Sequence, residues 1–209
     1  MRKREGDFLL YLLCGFFVFS EVCKQILLTK YQGYYDWWYF PFQLCSMPIY
    51  LLPLHLFSKN ERIREMTGTF LIDYGMMAGI LVFLDTSGFH YPIEILTVHS
   101  YLWHILMIVM GILLLRRVKL SKRSFIDAFH LYLFLAMIAE ILNILFRKEG
   151  IDMYYLSPFY PMSQIVYKDV RILFGNGVSL FLYFLSIPLG AFLFHLLLKR
   201  IQRSFEKKT

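Results

Sequence analysis

Ile93-Glu94-Ile95-Leu96-Thr97-Val98-His99-Ser100-Tyr101-Leu102-Trp103-His104-Ile105-Leu106-Met107-Ile108-Val109-Met110-Gly111-Ile112-Leu113-Leu114-Leu115 runs without a break into Arg116-Arg117-Val118-Lys119. An apolar run of this length, closed by a basic cluster, is the pattern of a transmembrane helix ending at the cytoplasmic face, because a helix needs about 20 mostly apolar residues to cross a bilayer. Five further segments fit the same pattern: Phe8–Leu28, Phe40–Phe57, Met66–Leu84, Phe125–Phe146 and Val178–Leu198. The expectation is an all-α polytopic membrane protein, a six-helix bundle forming one domain over residues 1–209. Composition agrees. At 58% hydrophobic residues, a soluble domain of this size would expose large apolar patches.

The second segment is short and carries Pro48 and Pro53, which predicts a bend there. The one long connection, Gly150 to Gly177, is aromatic and contains Pro158 and Pro161. It is expected to form a partly ordered cap at the interface. Met1-Arg2-Lys3-Arg4 is basic, but the apolar run after it carries Glu21 and no small-residue cleavage site, so no cleaved signal peptide is expected.

The net charge of +7 does not point to nucleic acid, because the basic residues sit in short segments between apolar runs. Arg2, Lys3 and Arg4, then Lys59, Arg62 and Arg64, then Arg116, Arg117, Lys119, Lys122 and Arg123, then Lys199, Arg200, Arg203, Lys207 and Lys208 fall on one side. Together they are sixteen of the 22 Lys and Arg residues; Lys24, Lys30, Arg147, Lys148, Lys168 and Arg171 fall on the other. The positive-inside rule puts the larger group, and both termini, in the cytoplasm of a cell-membrane protein. Tyr34-Tyr35-Asp36-Trp37-Trp38-Tyr39 then forms an aromatic belt at the outer interface.

Polar groups inside a span are costly and mark function or helix contacts. Counting the helical rise from the span ends puts Cys45, His99, Glu21 and Glu140 all about 8–10 Å below the outer interface. Asn143 shares a helix face with Glu140. Four helices thus each bring a polar group to one depth, where the ester bonds of phospholipids lie. A thiolate attacks acyl carbonyls well, a nearby His can take its proton, and a carboxylate can orient that His. Cys45 and His99 are the candidate catalytic pair, with Glu21 or Glu140 as orienting acids. The partners would be membrane phospholipids. No cofactor and no metal is called for, and the three cysteines, Cys14, Cys23 and Cys45, have no metal-binding spacing.

Each of these groups also has a plainer reading. A membrane-helix cysteine is commonly a small packing residue, and Cys14 and Cys23 are read that way. On the same reading His99 bonds a neighbouring backbone group, and Glu21 and Glu140 are polar links between helices. His104 lies about 140° round the helix from His99 and off its site. His55 is expected to reach the cytoplasmic interface, His195 to be a packing or interface residue, and Asp73 to be a structural partner for a neighbour's donor.

The residues with the least plain explanation carry a resemblance. Pro41-Phe42-Gln43-Leu44-Cys45-Ser46 resembles the cysteine-bearing second-helix motif of the YwaF-like bacterial integral membrane proteins, which are similar to the eukaryotic transmembrane protein 164 acyltransferases. Val98-His99-Ser100-Tyr101-Leu102-Trp103-His104 resembles that family's histidine motif. Asn143, with Asp152-Met153-Tyr154-Tyr155-Leu156-Ser157-Pro158-Phe159, resembles its Asn-Tyr-Met-Tyr-Leu segment and proline-rich continuation. The likeness runs in order over roughly residues 40–195. It implies a six-helix fold shared with androgen-induced-gene-type membrane hydrolases, and a Cys/His pair that moves fatty acyl chains between glycerophospholipids. Carried over, Cys45 would accept the acyl chain and His99 would be its base. Gln43, where bacterial members often have His, would be a substrate-binding or orienting residue together with Glu140, Asn143 and Glu21. Ser46 stands in place of an acidic residue or His, and Asp152 in place of Asn.

A reading from another class is a small carrier or ligand-sensing protein in which Glu21, Glu140 and His99 bind a proton or solute. Such carriers favour broken helices in matching halves, and no internal repeat is visible. A third reading is an assembly factor without chemistry of its own.

Overall fold

The computed structural model describes residues 2–206, with side chains described for 8–204. Lys207, Lys208 and Thr209, and the side chains of Arg2, Lys3 and Arg4, lie outside the described residues. All regular structure among the described residues is helical: α1 (Arg2–Gln32), α2 (Pro48–Phe57), α3 (Glu61–Phe70), α4 (Met77–Leu81), α5 (Glu94–Leu115), α6 (Lys122–Leu145), α7 (Tyr167–Phe174) and α8 (Asn176–Glu206), with short 3₁₀ turns between them.

Among the described residues, five helical stretches are long and apolar enough to cross a membrane: Phe8–Gln32, Glu61–Leu84, Glu94–Leu115, Lys122–Leu145 and Asn176–Ser204. The segment expected at 40–57 is a shorter apolar helical stretch, Leu44–Phe57. Proline explains the shortening. Phe40 precedes Pro41 and takes φ −56, ψ 129, the extended conformation that a following proline imposes. The chain then makes a single 3₁₀ turn, Leu44–Ser46. Only at Pro48, whose missing N–H costs nothing in a first turn, does α2 begin. Cys45 therefore sits in a tight turn above a helix, not five residues down one.

The helix ends are built locally. Asn60 caps α3 by accepting the N–H groups of Arg62 and Ile63, and Ser121 and Ser124 cap α6 reciprocally. Between α3 and α4 the chain winds as a π-helix from Leu71 to Met76, and all six of its residues are buried. It packs on α5 and α8. Gly111 on α5 makes that contact possible, since a Cβ there would stand 2.5 Å from the Cβ of Met76.

In a bilayer the gain on packing helices together comes from close fit and polar contacts rather than from removing apolar surface from water. The distribution of side chains follows. Phe8, Phe19, Leu84, Leu145, Phe181 and Leu189 are well exposed, as lipid-facing residues are. One stripe of α1, Leu10, Leu13, Cys14, Phe17, Glu21 and Leu28, is buried at the spacing of one helix face. α1 packs on α2 and α5, α3 on α6, and α6 on α8.

Candidate active site

Cys45 is held from α5. Trp103, buried at 5% exposure, donates its indole N–H to the Cys45 carbonyl at 3.0 Å. One turn earlier on the same helix, the His99 ring lies 5.4 Å from the Trp103 ring, centroid to centroid. Phe16 and Phe17 of α1 close the third side, with Phe16 6.1 Å from His99 and Phe17 4.8 Å from Trp103. The Nε2 atom of His99 is buried and has no hydrogen-bond partner among the described residues. A buried imidazole nitrogen left bare costs on the order of 1–3 kcal/mol, which suits a group kept free to take up a proton. Cys45 is thus linked to His99 through its main-chain carbonyl and the Trp103 ring, and no hydrogen bond joins its thiol to His99 Nε2 among the described residues.

Neither acid hydrogen-bonds His99 among the described residues, although Glu21 lies within electrostatic reach of it. Glu21 is buried and accepts from Gln25 at 2.7 Å and from Lys24 at 2.9 Å. Gln25 also donates to the Tyr39 carbonyl at 2.7 Å, fixing the aromatic turn Trp37–Tyr39 over α1. Asp36 caps that turn by accepting the Trp38 N–H. Glu140 accepts from Asn143 at 3.3 Å. The partners of both acids are therefore residues other than His99.

Gln43 and Asn143 are brought together by a shared task. The Gln43 carboxamide donates to the Asp152 carbonyl at 2.7 Å and accepts the Tyr154 N–H at 2.8 Å. Asn143 donates to the Met153 carbonyl at 3.1 Å and accepts the Met153 N–H at 2.6 Å. Each amide uses both its ends on the same three-residue stretch, as a neighbouring β-strand would. The stretch needs it. Tyr154 and Tyr155 lie at φ 57 and φ 53, the left-handed region that costs non-glycine residues about 1 kcal/mol or more. Ile151, Asp152, Met153 and Tyr154 are buried, and the Tyr154 ring meets Phe42 at 6.0 Å. The cap foreseen for the long connection is thus ordered here and tied to the residue two before Cys45. Asp152 accepts the Ser157 N–H at 2.9 Å, and burial pushes its carboxyl up to about 6.

The residue that sequence reasoning passed over is Lys24. It stood there only as one of six outward charges. Its ammonium is held inside, with side-chain exposures of 12% for Lys24 and 6% for Glu21, and it lies 6.0 Å from the centre of the Tyr91 ring. It is within electrostatic reach of Cys45 and His99. The signal available was the i, i+3 spacing of an acid and a base inside an apolar run, which pairs them on one face.

Away from this cluster, His195 on α8 bonds Asp73 in the π turn at 2.7 Å, both side chains being buried. Asp73 does partner a neighbour's donor, as expected. His55 is buried against the Arg64 carbonyl at 2.8 Å rather than reaching the interface. His104 bonds the Ser100 carbonyl and stacks on Phe89, and it lies within electrostatic reach of Lys24 and His99.

No curated protein and no solved structure matches this chain. One family does: the model of the TMEM164 family matches residues 1–199, nearly the whole length, and the chain belongs to that family of membrane proteins.

Proposed function

We propose that this protein is a membrane acyltransferase that moves fatty acyl chains on phospholipids through Cys45 and His99, at the outer leaflet of the cell membrane. In this reading six segments cross the bilayer, Leu44–Phe57 among them, and both termini are cytoplasmic. The observation that carries it is the unpartnered Nε2 of His99, one turn from the Trp103 indole that grips the Cys45 carbonyl.

The steps balance as an exchange of ester for thioester. His99 takes the Cys45 thiol proton and the thiolate attacks the ester carbonyl of a phospholipid. The carbon–oxygen ester bond breaks, and His99 returns the proton to the departing glyceryl oxygen, releasing a lysophospholipid. The acyl chain is now a thioester on Cys45. The hydroxyl of an acceptor lipid, its proton taken by His99, attacks that thioester and the thiol is restored. A buried thiol is normally harder to ionise, so a base within the same cluster is a requirement of this chemistry. Against the carrier reading, Glu21 and Glu140 already have side-chain partners.

The test is the intact mass of purified protein incubated with phospholipid. An added acyl mass mapping to Cys45 is expected in the wild type. It should be lost in Cys45→Ala and formed far more slowly in His99→Ala. Undiminished adduct formation in Cys45→Ala overturns the mechanism.

A further inference from the structure

A lysine near the end of a membrane helix ordinarily extends its stem and places its ammonium at the interface. Lys30 on α1 is exposed in that way. Lys24 on the same helix is turned inward, onto Glu21. A buried ion pair is seldom worth its desolvation, and apolar replacements are often neutral or stabilising. Holding Glu21 alone is therefore a weak reason for a membrane helix to keep both charges on its packed face.

The position of Lys24 suggests a better one. Phe17, Glu21 and Lys24 follow one face of α1, each step a single turn toward its C-terminal end. Phe17 touches Trp103, and Trp103 carries the Cys45 carbonyl. Lys24 thus stands about two turns, roughly 10 Å, beyond the aromatic floor of the cluster, on the side of Tyr39 and Tyr91. A phospholipid has the same order along its length: acyl chain, ester, then phosphate. One of the three N–H groups of the ammonium goes to Glu21; the other two are donors suited to a phosphate oxygen.

We propose that Lys24 is the headgroup-selecting residue of this site, holding the phosphodiester of a phospholipid while Cys45 faces its ester. The inference rests on the acyl-transfer reading for its orientation of the lipid, but it is tested by binding alone. Glu21 and Gln25 are positioning residues in this scheme, keeping the Lys24 side chain inside.

The experiment uses the full chain in detergent micelles and two lipids without ester bonds: a dialkyl ether phospholipid and the dialkylglycerol that lacks its phosphate. The wild type should prefer the phospholipid. Lys24→Gln should weaken phospholipid binding about tenfold or more, the loss of a charge-assisted contact, and leave dialkylglycerol binding unchanged. Lys24→Arg should keep most of the preference. Because Lys24→Gln leaves Glu21 buried without its cation, the double variant Glu21→Gln/Lys24→Gln is measured beside it; it removes both charges and should show the same selective loss. Inorganic phosphate at millimolar concentration should not displace the ether phospholipid; displacement would mean a site for free phosphate and overturn the assignment to a lipid. Equal binding of both lipids by the wild type, or equal loss of both in the variants, also overturns it. If the ether phospholipid preference depends on Lys24 while the wild type forms no acyl adduct with any ester lipid, the acyl-transfer reading falls and headgroup recognition stands.

Discussion

Trp103 and Cys45 are joined side chain to main chain, the indole N–H donating to the cysteine carbonyl at 3.0 Å. The contact adds to what holds the 3₁₀ turn, whose own backbone bonds are few and whose N-cap residue, Gln43, is tied to the 152–154 stretch. Trp103→Phe keeps most of the ring and removes the bond. It should lower thermal stability by about 1–2 kcal/mol and slow acyl-adduct formation on Cys45 by more than the stability loss alone accounts for. A variant with the wild-type adduct rate would mean that the turn keeps its shape without Trp103.

How much of this was legible beforehand follows from which residues act locally. The long helices could be read because twenty apolar residues in a row have few other uses. Cys45 and His99 drew attention because a Cys and a His beside apolar runs stand out against their surroundings; that Cys45 lies in a 3₁₀ turn was not legible from composition. The π turn at 71–76 could not be read, for Leu-Ile-Asp-Tyr-Gly-Met has no composition of its own, and its close approach to Gly111 is a tertiary contact that no local pattern encodes. Nor could the inward turn of Lys24, because the count that orients the protein treats every lysine as an interface charge. Gln43 looked like a group for the substrate. Its amide is used instead on a loop more than one hundred residues away, a pairing that no local pattern encodes. His55 was expected at the interface, but Gly68 opens room for it: a Cβ there would stand 2.9 Å from the imidazole.

The two carboxamides make a matched prediction. Asn143→Ala leaves both the N–H and the carbonyl of buried Met153 without their partner, which should cost about 3 kcal/mol. Gln43→Ala should cost less, its site being only partly buried. Both variants loosen one loop, so their effects should not add. Denaturation of the two single variants and the double, with proteolysis between residues 150 and 160 as the local probe, checks this. Simple additivity would show that the clamps act independently.

Asp152 gives a pH dependence with a definite sign. Burial raises its carboxyl to about 6 from an ordinary 3.8, so the fold favours the neutral acid. That contribution is fully present below the ordinary value and is lost as pH rises through about 6. Asp152→Asn cannot ionise, and its side-chain oxygen can still accept the Ser157 N–H. At pH 8 it should be more stable than the wild type, by up to about 3 kcal/mol. Near pH 4 the two should melt together. A difference independent of pH would place the ionisation elsewhere.

The orientation is tested by labelling. In a background where Cys14, Cys23 and Cys45 are replaced by Ala, Lys119→Cys should react with an impermeant thiol reagent only from the cytoplasmic side. Gly88→Cys, in the connection between 85 and 92 that carries no Lys or Arg, should react only from the other side. The reverse pattern would overturn the assignment from charge.

The Asp73–His195 pair makes the last prediction. Each partner has one buried atom bonded to the other and one buried atom, Asp73 Oδ1 and His195 Nε2, with no partner among the described residues. The pair joins the π turn to α8, so it links the segment that interrupts one long helix to another. Removing one member leaves the other with no partner at all in an apolar setting, which costs about 3–5 kcal/mol for a buried pair. Asp73→Ala and His195→Ala should each be strongly destabilising. Replacing both with apolar residues of similar size, Asp73→Leu with His195→Phe, should cost much less than the two single losses together, because no bare polar group is left behind. A double-mutant cycle read by thermal denaturation measures the difference. Full additivity would mean that the two side chains do not depend on each other and that the π turn is held by its packing rather than by this pair.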